Sequence, residues 1–327
     1  MGSFGFWQPI IIFSLLNVIL TSGLYITALS GQLSMATAAL AGIGGYVSAV
    51  LTANFDWPFV PAILAAAVAT AIVGGLLAAL MVRMRDFILK LTTLAFGEAM
   101  SVIAFNIPYI GGANGFSGIP LYSTMTDVVV VAALAIFVAW RFDGSQLGLA
   151  SRAVRDDPLA AACNGVSVRQ VRVTTFALGS AVIGAGGALS AHYVLLVTPS
   201  QMGFYFSLTY IIFLLFGGLQ SLWGPLIAAV LLTAAPEVLR FANEYRLILY
   251  GLIILLVVLW RPNGLITRRP LGPGGRGPHS GTPSDIAFSG KRAGGDLAAE
   301  HPVGIGGEAE DQRLWIGARW RRRPAPH

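Results

Sequence analysis

The stretch PFVPAILAAAVATAIVGGLLAALMV, residues 58–82, carries no charged side chain and a single hydroxyl, Thr70. An α-helix rises 1.5 Å per residue, so about 20 apolar residues cross the ~30 Å hydrocarbon core of a bilayer. Strands of a membrane barrel would instead alternate apolar and polar positions over roughly ten residues. No such alternation is present here. The stretch therefore reads as a transmembrane helix, and it sets the fold class for the rest of the chain.

The same pattern recurs on both sides of it. Spans are expected at 7–29, 33–53, 58–82, 87–106, 124–140, 170–195, 204–219, 222–240 and 246–260, nine in all. The chain is 55% hydrophobic and 11% charged over 327 residues, against about 25% charged in an average soluble domain. The class is an all-α polytopic membrane protein. The start, MGSFGFWQPIIIFSLLNVIL (1–20), has no Lys or Arg before its apolar run, unlike the basic region of a cleaved signal peptide. It reads as the first span. The pair 204–219 and 222–240 is joined by the Gly/Pro turn GGLQSLWGP (217–225). Its first member is short, which a bilayer accepts where protein shields the backbone. The single cysteine, Cys163, excludes an intramolecular disulfide and a multi-cysteine metal site.

Basic residues set the orientation, because cytoplasmic loops are enriched in Lys and Arg. An outside N-terminus places Arg83, Arg85, Lys90, Arg141, Arg152, Arg155, Arg169, Arg172, Arg261, Arg268 and Arg269 inside, and only Arg240 and Arg246 outside. The C-terminus is then cytoplasmic. Residues 1–266 form the membrane domain, with a cytoplasmic segment at 141–169. Residues 267–327 are rich in Gly, Pro and Arg and lack a sustained apolar period, so a disordered basic tail is expected. Its end, RLWIGARWRRRPAPH (313–327), has two readings: contact with anionic membrane lipid, or a solvated tail without a task. The tail carries much of the net charge of +6, so that charge says little about substrate, and no nucleic-acid partner is expected.

Within the cytoplasmic segment, RAVRDDPLAAACNGVSVRQVR (152–172) stands out from its apolar surroundings. Asp157 suits an N-cap and Pro158 the first helical position. PLAAACN then forms a short Ala-rich helix that Gly165 ends, and Ser167 caps the next helix. On spacing alone this is either an ordinary loop obeying the positive-inside rule or a rigid knob that docks on a soluble partner.

Glu98, in LTTLAFGEAM (91–100), is ionisable inside a span, where charge is costly. It is either a functional group on a transport pathway or a carboxylate hydrogen-bonded to neighbouring helices for packing. YIGGANGFSGIP (109–120) is expected outside, as a vestibule offering Asn114 and Ser117 or as a plain flexible loop. SGQLSMATAALAGIGGY (30–46) is dense in small residues that let helices pack closely. Gly31, Gly42, Gly44 and Gly45 belong to that reading, with Gln32 and Ser34 as pore-lining candidates. His192, near the outer end of its span, reads as an interfacial polar residue. There is no G-x-x-x-x-G-K-(S/T) loop, metal-ligand cluster or catalytic triad spacing, so no metal, no cofactor and no enzyme activity are expected.

Six segments in order resemble the permease subunits of ABC importers, specifically the branched-chain amino acid (high-affinity Leu/Ile/Val) permease family. They are ALSGQLSMATAALAGIGGY (28–46), LTTLAFGEAM, IGGANGFSGIP (110–120), RAVRDDPLAAACNGVSVRQVR, FGGLQSLWGPLIAA (216–229) and RPNGLI (261–266), and the likeness covers about 10–266. Gln220 departs from the family's pattern, which has Gly there. The resemblance implies that 152–168 is a coupling helix docking on an ATPase through Arg152, Arg155, Asp156, Asp157, Ala161 and Gly165. It also implies two cytoplasmic ATPase subunits that bind the ATP, a second related permease, a periplasmic or extracellular substrate-binding protein, and a place in a bacterial inner membrane. Two alternatives stand beside it: a permease of this kind for urea or short amides, and an ion-gradient-driven secondary transporter with Glu98 as its coupling site.

Overall fold

A computed structural model describes residues 3–84, 86–238 and 251. Helices follow one another as α1 (Ser3–Leu29), α2 (Thr37–Asn54), α3 (Phe59–Met81), α4 (Asp86–Asn106), α5 (Met125–Asp143), α6 (Gln146–Asp156), α7 (Pro158–Cys163), α8 (Val168–Val194), α9 (Phe204–Gly217) and α10 (Trp223–Val238). Two strands, β1 (Phe116–Ser117) and β2 (Leu196–Val197), pair antiparallel. Among the described residues, five helices are long and apolar enough to cross a membrane: α1 over Trp7–Leu29, α3, α4 over Phe87–Asn106, α5 and α8. α2, α9 and α10 are shorter, at 18, 14 and 16 residues. The expected span 246–260, apart from Gly251, and the tail 267–327 lie outside the described residues.

Two boundaries differ from the sequence reading for local reasons. α2 starts at Thr37 rather than near 33, because 33–36 is a tied turn. The Met35 N–H donates to Thr93 Oγ1 at 3.0 Å, and the Ala36 N–H to Ser34 Oγ at 3.1 Å. α5 runs on past residue 140 to Asp143, since Phe142 and Asp143 are themselves buried. Its start is closed by a capping box, in which Thr124 Oγ1 accepts from the Asp127 N–H and Asp127 Oδ2 accepts from the Thr124 N–H at 3.0 Å.

α3 explains how such a sequence packs. Val60, Leu64, Val68, Ile72, Leu76 and Leu80 recur every fourth residue and all are exposed. The opposite stripe is small or slender, with Ala62, Ala66, Thr70, Gly74 and Ala78 buried. Large side chains face out and small ones face in, as expected where lipid is the solvent and close helix approach does the packing. α8 is the central post, lying against α1, α2 and α3. One of its tight crossings is Gly184, where an added Cβ would collide with the Thr70 side chain of α3, and where a Cβ on Gly44 of α2 would lie 2.7 Å from its Cα.

The bundle has two distinct ends. One gathers the 30–36 turn, the α3–α4 turn, α6 and α7: Gly31 lies against Arg155, and Arg172 Nη1 donates to the Val82 carbonyl at 3.1 Å. Arg152, Arg155 and Arg172 collect here, so we call it the basic face. The opposite face joins the 107–123 loop to the end of α8.

Candidate functional site

On the basic face, α6 and α7 form a compact helical pair. Ser145 caps α6 by accepting the Gly148 N–H at 3.1 Å. Asp157 Oδ1 caps α7, accepting from the N–H groups of Leu159 at 2.9 Å and Ala160 at 3.0 Å, with Pro158 as the first helical residue. Gly165, at φ +81°, ends it. The Gly165 N–H donates to the Ala162 carbonyl at 3.0 Å and the Val166 N–H to that of Ala161 at 3.1 Å, the paired bonds of a glycine-terminated helix. Ser167 differs from expectation: it stands at the N-cap of α8, but its hydroxyl makes no capping bond.

The six coupling candidates divide by position. Asp156 and Gly165 are exposed, and nothing lies within 4 Å of where a Gly165 Cβ would be. Asp157 is exposed and committed to its cap. Arg155 rests beside Gly31 and donates to Asp156 Oδ1 at 3.1 Å. Ala161 is buried with Val154 and Val171 in a small core that fastens α7 to α6 and α8. Arg152 turns inward: it donates to the Asp143 carboxylate at 2.6 Å and also to the Asp143 carbonyl. Tyr25 of α1 donates to the same carboxylate at 3.0 Å. Asp143 is 5% exposed, so this cluster is a buried polar joint tying α5, α6 and α1 together. The residue that sequence reasoning passed over is Leu159. It is 75% exposed, at the tip of α7 beside exposed Cys163. Its signal was an apolar residue in the first turn of a capped surface helix.

On the opposite face, the Gly-rich 109–120 segment is a built structure rather than a plain loop. Phe116 pairs with Val197 and Ser117 with Leu196. Gly115, at φ +77°, comes so close to β2 that an added Cβ would lie 2.9 Å from Thr198 Cγ2. His192 pins the loop from below. It is fully buried, not interfacial, with Nδ1 3.1 Å from the Pro120 carbonyl and Nε2 2.9 Å from Ser48 Oγ. A carbonyl only accepts, so Nδ1 carries the proton and Nε2 of the neutral ring accepts from Ser48. The Phe59 ring stands edge-on to the imidazole, centroids 5.1 Å apart. Asn114 and Ser117 are exposed on this cap.

Residues 195–204 run beneath the cap and are held by side chains of α2 and α4. Tyr46 Oη of α2 donates to the Val197 carbonyl at 3.2 Å, and Ser101 Oγ of α4 to that of Pro199 at 2.8 Å. Glu98 Oε1 accepts the N–H of Phe204, the first residue of α9, at 2.7 Å. Glu98 thus acts as a helix cap delivered from another helix, because the N-cap residue, Gly203, has no side chain to do it.

Beside this segment lies a cavity of about 620 Å³ between α1, α2, α8, α9 and α10, within the range of small-molecule sites. Leu16, Leu20, Val197 and Phe206 give it apolar walls, and Asn17, Gln201, Thr209 and Thr233 are among its polar groups. Asn17 Nδ2 donates to Thr233 Oγ1 across it at 2.9 Å. None of the five pathway candidates lines the cavity. Gln32 and Ser34 are buried in the turn between α1 and α2, where Gln32 Oε1 accepts from Ser30 and Ser34 holds the Ala36 N–H. Glu98 borders the cavity's wall from the far side of α9's first turn, through Gly203 and Phe204.

Comparison with known proteins agrees with this architecture. A family model described as branched-chain amino acid transport system / permease component matches residues 8–258. The high-affinity branched-chain amino acid transport system permease protein LivM of Escherichia coli strain K12 is 28% identical over 289 residues, covering 77% of this chain and 68% of LivM. A probable LivM of Methanocaldococcus jannaschii is 24% identical over 64% of this chain and 68% of its own length. BraD of Pseudomonas aeruginosa, another high-affinity branched-chain amino acid permease, is 26% identical over 49% of this chain and 53% of its own. No solved structure matches. A family match across most of the chain, on a helical bundle with membrane-length apolar helices, leads to one conclusion: this chain belongs to the branched-chain amino acid transport system permease family.

Proposed function

We propose that the chain is the membrane-spanning subunit of an ABC importer in a bacterial inner membrane and passes branched-chain amino acids inward. Its basic face is cytoplasmic and meets two separate ATPase subunits. Its opposite face, built on the cap of 107–123 and 195–203, receives cargo from a soluble binding protein. A second, related permease completes the pathway. The observation that carries this reading is the α6–α7 lever. It is capped at both ends and fastened to α1, α5 and α8, and it presents Leu159 to a partner with Asp156 and Arg155 at its base. A loop with no task has no need of a buried Asp143–Arg152–Tyr25 joint. That joint makes α6 and α7 move with the membrane helices, as a lever driven by an ATPase must.

The test is uptake of radiolabelled leucine into proteoliposomes holding this chain with its ATPases, companion permease and binding protein. Accumulation that requires enclosed ATP supports the proposal. Accumulation by this chain alone on a proton or sodium gradient overturns it in favour of a secondary transporter. A binding protein that delivers urea or a short amide instead of leucine keeps the importer and changes the cargo.

A further inference from the structure

We propose that Glu98 holds the ammonium group of the cargo during passage, sharing its carboxylate between that ligand and the N-terminus of α9. The inference rests on the importer reading above and assigns a chemistry to one residue of its pathway.

Glu98 lies eight residues before the end of α4 at Asn106, so its backbone is about 12 Å inside that end of the span. It is exposed on the chain, flanked by exposed Ala95 and Ala99 one turn before it and beside it. Glu98 interrupts an otherwise apolar exposed stripe of α4, with Leu91, Val102 and Phe105 on the same face, and a carboxylate left bare at such a depth is costly, so a polar group has to meet it there. The two small alanines leave room for one. No Lys, Arg or His pairs with Glu98 among the described residues, whose ion pairs are Arg152–Asp143 and Arg155–Asp156. Oε1 is engaged by the Phe204 N–H, while Oε2 accepts no hydrogen bond from a described residue. A negative charge inside a span thus has one neutral donor and one open oxygen. The group that completes it is a cation with N–H donors. A primary ammonium, with three donors and a unit charge, fits that description, and it is the group shared by all free α-amino acids.

The position gives the contact a consequence. The turn that Glu98 caps carries Tyr205 and Phe206, and the segment just before it carries Gln201; all three wall the cavity. Gly203 keeps the approach open, since an added Cβ would lie 3.4 Å from Oε1 and 3.9 Å from Oε2. An ammonium on Oε2 draws on the same carboxylate whose Oε1 holds the Phe204 N–H, and so weakens that cap and loosens the first turn of α9. Cargo binding and cavity opening are then linked through one side chain.

The test uses the complete importer in ATP-loaded proteoliposomes, comparing wild type, E98Q and E98A. The amide oxygen of E98Q still accepts the Phe204 N–H but carries no charge. The expected result is wild-type yield and melting temperature for E98Q, with the ATP consumed per leucine imported rising about tenfold, the scale of one hydrogen bond to a charged group. E98A, which also removes the cap, lowers the melting temperature as well. An E98Q importer with the wild-type ratio of ATP to leucine overturns the proposal, since that makes Glu98 a cap only. Wild-type vesicles that accumulate nothing on ATP overturn the importer reading itself, and this inference with it.

Discussion

Asp143 is the residue on which the lever depends most. It ends α5, accepts from Tyr25 of α1 and Arg152 of α6, and is almost wholly buried. Removing one partner of a buried charged pair leaves the other inadequately solvated. Here Arg152 keeps 24% of its side-chain surface, so water compensates part of the loss. Asp143→Ala is expected to cost about 2 kcal/mol, seen as a lower melting temperature of the purified protein, while Asp143→Asn, which keeps an acceptor, costs less. Arg152 shows what residue-level reading of a sequence reaches. Its charge marked the right face of the protein, yet its role depends on a carboxylate nine residues earlier and a tyrosine in the first span. Glu98 and Phe204, 106 residues apart, make the same point. A cap given by another helix leaves no trace in local spacing, so the choice between packing and function for Glu98 was not open to sequence alone. The structure supplies the packing contact directly, and the open oxygen argues for the second role.

At the scale of elements, the spans were legible because apolar length is a local property. The boundaries 58–82 and 87–106 fall within a residue of α3 and α4. Helix α7 was legible for a related reason: Asp157, Pro158 and Gly165 are cap signals that act on their own neighbours. The β1–β2 ladder was not, since two-residue strands have no periodicity and their pairing spans the whole of α5 to α8. His192 was misread as interfacial because burial by a distant loop is a tertiary fact. The caps also yield a prediction at this scale. Asp157→Ala removes the acceptor of two α7 N–H groups and is expected to cost the short helix about 1 kcal/mol. Because α7 has only six residues, it frays rather than bending. Hydrogen exchange at Leu159 and Ala160 should rise while exchange in α8 stays slow, and leucine uptake should fall with the stiffness of the lever. Unchanged exchange at those amides contradicts the capping account.

Across the described bundle, residues 3–238, α8 is a post between two distinct ends. α8 gives the packing axis through small residues that meet α1, α2 and α3. The basic end carries a rigid lever with an apolar tip. The opposite end carries a cap, a pinned segment and a cavity, and α9 begins in that segment under the control of α4. On the proposed reading, force applied at α6 and α7 reaches the bundle through the Asp143 joint, and cargo entering near the cap meets the first turn of α9. The central claim is that the lever docks on an ATPase. Cys163, the chain's single cysteine, lies exposed on α7, so the native protein carries its own probe. The most direct measurement is the rate at which a maleimide labels Cys163 in membranes with and without the cognate ATPase subunits. The account predicts strong protection when they are bound, and crosslinking from Cys163 to the ATPase by a short thiol-directed reagent. Labelling at the same rate in both membranes, with no crosslink, would contradict it.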